Sequence, residues 1–166
     1  MAATMALTLP GDIHAASHAR SLADLLLSRL GVTGQCRADL SLMITEACTN
    51  AVSHARRAGD IEVHISVGPH ECVIDVGNSD GTFDDAQLHA NLPDPYAEGG
   101  RGLPIISALA DAARTVHERS GWVVLHMVKH IARNPDQPWG APSPTILPPA
   151  ANGSEPSSPA PKIRTG

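Results

Sequence analysis

Two short apolar segments joined by a tight turn restrict the fold of this chain more than any other feature of its sequence. Residues 61–67 alternate apolar and polar side chains, as a strand with one buried face does. Gly68-Pro69 provides a turn, and residues 71–76 form a second apolar segment of strand length. Strands joined by so short a turn must pair antiparallel, so we predict an antiparallel sheet with one face covered.

Two predicted helices precede this hairpin and would cover that face. The first begins at Asp12, a suitable N-cap, and continues to about residue 30. Its apolar positions recur at helical spacing and are Leu22, Leu25, Leu26 and Leu30. The second covers about residues 37–57, and its predicted buried stripe consists of Leu40, Met43, Ile44, Ala47 and Ala51. We expect Gly31 and Gly34 to separate the two helices.

The remaining segments complete a small α+β domain. Residues 5–9 are a candidate edge strand, and Leu103–Leu109 reads as a short helix. Val116 and residues 122–128 predict a closing hairpin around Ser120-Gly121. The resulting order of elements predicts a two-layer α/β sandwich, with a mixed, mainly antiparallel sheet and helices on one face.

Composition divides the chain into a domain of residues 1–133 and a tail of residues 134–166. The tail holds nine of the 14 prolines, so it cannot bury enough apolar surface to offset its ordering entropy, and we predict that it is disordered.

The net charge of −5 argues against nucleic-acid binding. The sequence has no apolar run long enough to cross a membrane. Its N-terminus lacks a basic stretch followed by an apolar run, so we do not expect a secretory signal. Its three widely spaced cysteines predict reduced thiols and a cytoplasmic protein.

A polar stripe on the second helix is the first candidate site. Glu46, Asn50 and His54 follow one another at intervals of four residues, which places them on one side of a helix. A carboxylate and an amide oxygen one turn apart suit a hard cation such as Mg²⁺. The stripe is also compatible with an ordinary solvated face, although Asn in the middle of an apolar helix favours a functional use.

Two glycine-containing segments are weaker candidates. Asp75-Val-Gly77, at the end of the second hairpin strand, could accept a hydrogen bond from the adenine amine, or it could simply form a turn. Gly100-Arg101-Gly102 precedes a helix whose N-terminus could bind phosphate, or it could be a flexible loop. Neither segment decides between these alternatives by itself.

In their order and spacing the three segments resemble the nucleotide-binding boxes of the GHKL (Bergerat-fold) ATPase superfamily. The run Thr45-Glu-Ala-Cys-Thr-Asn-Ala-Val-Ser-His-Ala55 is very similar to the first box of the anti-sigma-factor serine/threonine kinase branch, whose domains resemble those of histidine kinases. Gly100-Arg-Gly-Leu103, followed by Ile105-Ile106, is similar to the last box. The resemblance covers about residues 5–130.

This resemblance implies an ATP site with a role for each residue. Asn50 would bind Mg²⁺, Glu46 would be the general base, and Asp75 would bind the adenine amine with Gly77 beside the base. The phosphates would meet Gly100, Arg101, Gly102 and Leu103, under a lid formed by residues 84–98. The family's second box has Asp-x-Gly-x-Gly before an aromatic and an acidic residue. Here Gly81 follows Gly77 by four residues instead of two, before Phe83-Asp84, which implies two inserted residues after Gly77.

The implied function is that of an anti-sigma-factor regulator. It would sequester a sigma factor and use ATP to phosphorylate a serine or threonine on an anti-anti-sigma (STAS-type) antagonist. Arg20 lies where similar proteins have a partner-facing arginine, although an ordinary surface arginine explains it equally well. Relatives are often homodimers, so a homodimer is possible. The altered second box leaves two alternatives open: an ATP-gated protein-binding module without kinase activity, and a domain that keeps the fold without binding nucleotide.

Overall fold

A computed structural model of the chain describes residues 2–55, 59–79, 83, 88, 100–118 and 121–136. Most of the predicted lid and the tail from residue 137 onward lie outside the described residues, so the lid and the domain boundary stay predictions. The described elements, in chain order, are β1 (Ala3–Leu9), α1 (Ala15–Arg29), α2 (Gly34–Ser53), β2 (Ile61–Val67), β3 (Glu71–Asn78), α3 (Gly102–Leu109), β4 (Ala112–His117) and β5 (Val123–His130). None of the described helices is long and apolar enough to cross a membrane.

The five strands form one sheet in the order β1-β2-β3-β5-β4. All four pairings between the described strands are antiparallel, whereas we had predicted a mixed, mainly antiparallel sheet. The predicted hairpins β2–β3 and β4–β5 are both present. Because β3 lies at the centre of the sheet, its two faces have sharply different surroundings, and this decides where its polar residues can act.

One face of the sheet is buried beneath the helices, which confirms the α+β sandwich. The alternation predicted for β2 is present, and its buried side chains are Ile61, Val63, Ile65 and Val67. Apolar residues of α1, α2, α3 and all the inner strands belong to one continuous core. Removing this apolar surface from water is the main stabilising contribution to the fold.

Helix α1 packs on a different face from the one predicted. The residues that it buries are Ala15, Ala19, Ala23 and Leu27, at intervals of four. Leu22 and Leu25, which we expected in the core, are 42% and 56% exposed. The start of the helix also differs, because the Asp12 carboxylate accepts a hydrogen bond from the His14 backbone N–H in a turn, and α1 begins only at Ala15.

Helix α2 buries the stripe that the sequence predicted. Its fully buried residues are Leu40, Met43, Ile44, Ala47, Cys48 and Ala51. Its ends differ from the prediction: Gly34 begins the helix rather than interrupting the chain before it, and the helix ends at Ser53. Gly31 does end α1, with a positive φ of 71° and a backbone N–H bonded to the Ser28 carbonyl.

A half-buried cation connects α3 to the rest of the domain. The Lys129 ammonium, on β5, lies 3.1 Å from an Asp39 carboxylate oxygen on α2 and donates a hydrogen bond of 2.8 Å to the Leu109 carbonyl at the end of α3. The positive charge is favourable there because the C-terminus of a helix carries partial negative charge. Lys129 thus holds α3 in a fixed position relative to α2.

Candidate functional site

The polar stripe of α2 lies at the edge of the core, as predicted. Glu46 and Asn50 are both half-buried and occupy successive turns of the helix. His54 is exposed and is the C-cap residue beyond the last turn. The part of the polar stripe that lies at the edge of the core therefore consists of the Glu46 carboxylate and the Asn50 carboxamide.

The start of α3 lies directly against Glu46. A Cβ atom built on Gly102 would lie 2.9 Å from Glu46 Oε2, so only glycine allows the carboxylate to approach this closely. Gly100, two residues earlier, has a positive φ of 71°, a conformation that glycine adopts without strain. Local packing explains the glycine at position 102, and backbone conformation explains the one at position 100. Both allow the N-terminus of α3 to lie close to α2.

Backbone N–H groups are the chemically useful feature of this helix start. The first N–H groups of a helix have no partner inside it, and the cap residue Arg101 makes no side-chain hydrogen bond to them. Such a helix end attracts anions. The side chains of Leu103 and Ile106 are buried in the core, so at Leu103 only the backbone is available to a ligand.

Asp75 does not join this group of residues. Strand β3 continues through Gly77 to Asn78 instead of ending at Val76, so Asp75 lies within the strand. Its side chain lies on the outer face of the sheet, where Asp75 Oδ1 is 2.7 Å from His126 Nδ1. Both residues line a groove of about 320 Å³ on that face. The expectation that Asp75 belongs to one pocket with Glu46 and Asn50 is corrected, because alternate side chains of a strand point to opposite faces.

Gly77 also has a packing explanation on the outer face. A Cβ atom at this position would lie 3.0 Å from Val124 Cγ2 and 3.5 Å from Trp122 Cε3. Any larger residue would press against Val124 and the Val123 carbonyl of the neighbouring strand, so packing favours glycine here. The structure gives no reason to place Gly77 beside a ligand on the helix side.

Asn78, the last residue of β3, was not among the candidate residues predicted from the sequence. Its side chain points toward the helices, is only 3% exposed, and donates a hydrogen bond of 2.5 Å from Nδ2 to the carbonyl of Ala51 on α2. A signal for it was present in the sequence. If the second box is counted backwards from the aromatic and acidic pair, Phe83-Asp84, its first position falls on Asn78 and no insertion is needed. Phe83 is buried, which supports using it as the reference point.

Chemistry at the Cys48 or Cys72 thiol, or at a metal cluster, is not supported by the described residues. Burial raises the pKa of the Cys48 thiol and that of the Cys72 thiol to about 12, so both stay protonated at neutral pH. No group of three His, Cys, Asp or Glu side chains in the described part of the chain converges on a possible metal position. A cation near Asn50 would therefore need oxygen ligands from a bound molecule.

Known proteins are similar to this chain over most of its length. The histidine kinase-like ATPase domain family matches residues 9–129. The serine-protein kinase RsbW of Bacillus subtilis (strain 168) is 32% identical over 115 residues, which is 63% of this chain and 71% of that protein. RsbW of Bacillus pumilus (strain SAFR-032) is 34% identical over 119 residues, 64% of this chain and 72% of that protein.

Two solved structures share the fold. The RsbU and RsbW domains of Rv1364c from Mycobacterium tuberculosis match with a TM-score of 0.60 and 21% identity, over 80% of this chain and 33% of the mycobacterial chain. The chain thus spans about a third of that protein. The SiaB–SiaC complex from Pseudomonas aeruginosa matches with a TM-score of 0.54 and 16% identity, over 76% of this chain and 89% of the matched chain. At these identities the likeness concerns the fold alone.

Proposed function

The chain belongs to the family of histidine kinase-like ATPase domains, and we propose that it binds ATP with Mg²⁺ between α2 and α3 and is the serine/threonine kinase of an anti-sigma switch. One observation carries the proposal: the Glu46 carboxylate lies against the first residue of α3, with Asn50 one turn further along α2. The RsbW proteins, about a third identical to the chain, are named serine-protein kinases, which supports the activity.

Asn50 is the residue that would hold Mg²⁺. Its amide oxygen is a hard ligand on a half-buried turn of α2. Because no further cluster of ligand side chains surrounds it in the described residues, the remaining ligands would be phosphate oxygens and water, as is usual for this ion. When bound, Mg²⁺ would offset the negative charge of the phosphates.

The segment Gly100–Leu103 would bind the phosphates. Gly100 and Gly102 leave the backbone N–H groups accessible, and the helix dipole favours an anion at this end of α3. Arg101 would add a charge-assisted hydrogen bond. Lys129, at the opposite end of α3, keeps the helix in place while the phosphates bind.

Glu46 would act as the general base in phosphoryl transfer. The hydroxyl oxygen of the acceptor serine or threonine bonds to the γ-phosphorus of ATP, and the bond from that phosphorus to the β–γ bridging oxygen breaks, releasing ADP. The hydroxyl proton passes to the Glu46 carboxylate. Positioning and charge stabilisation account for most of the catalysis in such reactions, and both follow from the α2–α3 arrangement.

The protein partners would be a sigma factor and an anti-anti-sigma antagonist that carries the acceptor hydroxyl. Helix α1 offers exposed contact residues on two sides. Arg20 is exposed, and Leu22 and Leu25 form an apolar strip on another side of the helix. Large apolar side chains left in water on neighbouring turns favour an interaction surface.

Calorimetric titration with ATP, with and without Mg²⁺, tests the nucleotide site. We expect binding that depends on Mg²⁺ in the wild type, and in Asn50→Ala only the affinity that remains without the metal. His54→Ala is a matched control, because this exposed residue of the same sequence pattern should leave the affinity unchanged. A well-folded wild type that binds no ATP would contradict the proposal.

Phosphate transfer to a purified antagonist tests the kinase assignment. Glu46→Ala should still bind ATP and should lose transfer by about 10²–10⁴-fold, the usual contribution of a positioned general base. Normal transfer by this variant would exclude Glu46 as the base. ATP binding by the wild type without any transfer would instead support the ATP-gated binding module.

A further inference from the structure

Two histidines lie side by side at the start of α1, and neither belongs to the residues assigned to the ATP site. His14 is the N-cap residue of the helix, and His18 follows it by four residues. Both side chains are exposed, and their ring centroids are 6.2 Å apart, with an angle of 29° between the ring planes. The helix therefore presents two imidazoles to solvent on one side.

The stability of the helix does not explain this pair. The side chain of His14 makes no capping hydrogen bond, and neither imidazole is buried in the core. The N-terminus of a helix favours acidic side chains, yet the first turn of α1 contains none. Two exposed imidazoles at this position are therefore available for binding.

Histidines of the sheet are used differently. In three places an imidazole nitrogen lies close to a carboxylate oxygen, at 2.7, 3.1 and 3.6 Å, in the pairs His126–Asp75, His130–Asp111 and His64–Glu62. Neither ring of the α1 pair has such a carboxylate partner among the described residues. The ring nitrogens of His14 and His18 thus remain free to bind a ligand.

The spacing of the pair suits a metal ion. Two histidines four residues apart on one side of a helix are the arrangement with which the H-E-x-x-H motif holds zinc, and His14-Ala-Ala-Ser-His18 has the same spacing. An ion about 2.0–2.1 Å from one nitrogen of each ring would place the ring centres about 5 Å apart. The observed 6.2 Å is longer by about 1 Å, a difference that a small rotation of two exposed side chains removes.

We propose that His14 and His18 form a two-imidazole site for a divalent transition-metal ion, with Zn²⁺ as the clearest case. Imidazole nitrogens suit Zn²⁺, Ni²⁺ and Cu²⁺, whereas Mg²⁺ prefers oxygen ligands. The site therefore differs in its ion from the one assigned to Asn50, and it does not depend on ATP binding. In the described part of the chain no third His, Cys, Asp or Glu completes it, so water or a partner protein fills the remaining coordination positions.

The surroundings of the pair favour a cation and place it on the exposed side of α1. The Asp12 carboxylate accepts a hydrogen bond of 2.8 Å from the His14 backbone N–H, which keeps a negative charge beside the first histidine. This charge offsets the partial positive charge of the helix N-terminus, which by itself disfavours a cation. Leu25, which is 56% exposed, lies about 20° from each histidine around the helix axis. A bound ion thus faces the same side as this leucine, where a partner can complete its coordination.

Calorimetric titration of the full chain with Zn²⁺ tests the site, on protein that carries neither a histidine tag nor a nucleotide, since both bind the ion. We expect the wild type to bind Zn²⁺ and an excess of Mg²⁺ not to displace it. His14→Ala and His18→Ala should each weaken zinc binding at least about tenfold, because the ion loses one of two linked ligands. Alanine is a better helix former than histidine, so both variants should fold, and thermal melting verifies this.

His64→Ala is the matched control, because this exposed histidine also has a carboxylate nearby, that of Glu62 at 3.6 Å. It should leave the zinc affinity unchanged. A wild type that binds no Zn²⁺, an unchanged zinc affinity in either α1 variant, or an affinity lost in His64→Ala would overturn the inference. None of these outcomes bears on the ATP site, whose affinity is measured separately.

Discussion

Helices α1 and α2 pack against the same sheet but use their side chains in opposite ways. Helix α1 buries small residues, mainly alanine, and leaves Leu22 and Leu25 substantially exposed. Helix α2 buries its large apolar residues and holds Glu46 and Asn50 half-buried at the contact with α3. Under the proposed function, the polar residues of α2 would serve the ATP site, and the exposed leucines of α1 would be available to a protein partner.

This contrast shows that the largest apolar residues of a helix do not always mark its buried side. Alanines at intervals of four let α1 approach the neighbouring elements closely, because the distance between packed helices depends on the side chains at the contact. Only Leu27 combines a large side chain with a buried position on that stripe. Helix α2 shows the ordinary arrangement, in which size and burial coincide.

The largest expected effect tests the packing of α1. Leu27 is fully buried and Leu25, two residues away, is 56% exposed. Leu27→Ala should lower the free energy of unfolding by about 2–5 kcal/mol, since it removes buried methyl groups and leaves a cavity. Leu25→Ala should change it by about 0.5 kcal/mol or less. Urea denaturation measures both, and similar losses in the two variants would mean that α1 is rotated relative to the structure.

Whether the buried face of a helix or strand could be predicted from the sequence depends on whether its large apolar residues are the buried ones. The burial of α2 and β2 could be read from the sequence because their large apolar residues are the buried ones. For α1, Leu22, Leu25, Leu26 and Leu30 also recur at helical spacing, and only packing against α2 and the sheet decides that the alanine side is buried. Alanine has too little apolar surface for its pattern to outweigh that of leucine.

The candidate site was predictable in part, for a related reason. Glu46 and Asn50 stand in a specific sequence run, whereas the end of β3 could not be fixed from local sequence. Ending that strand at Val76 left Asp75 as its last polar residue. Its continuation to Asn78 places a different polar residue on the helix side, because a strand alternates its faces at every residue. A shift of two residues in one boundary thus changed which side chain lies near the site.

A second, smaller effect tests the contact between α2 and α3. Gly102 and Gly34 are each the first residue of a helix, but a Cβ atom would lie 2.9 Å from Glu46 Oε2 at Gly102 and would meet nothing within 4 Å at Gly34. Gly102→Ala should lower phosphate transfer by up to about 10²-fold, because the added methyl group displaces the Glu46 carboxylate, the flexible end of that side chain, from the start of α3. Gly34→Ala should raise stability by about 0.4–1 kcal/mol and leave ATP binding unchanged. Unchanged phosphate transfer by Gly102→Ala would exclude a catalytic contact between α2 and the start of α3.

The smallest expected effects test whether the exposed side of α1 binds a partner independently of the nucleotide site. Leu25→Ala should weaken binding to the sigma factor or its antagonist roughly tenfold, because a leucine buried at an interface contributes about 1.5–3 kcal/mol and alanine keeps part of it.

Arg20 lies five residues earlier, about 140° around the helix, so it faces another side. Arg20→Ala should weaken binding by about threefold, an effect that salt reduces as expected for an exposed charge. Pull-down titrations and parallel ATP calorimetry measure both properties. If either variant lost ATP affinity as well, the two helices would not be separable, and the division of roles between α1 and α2 would be wrong.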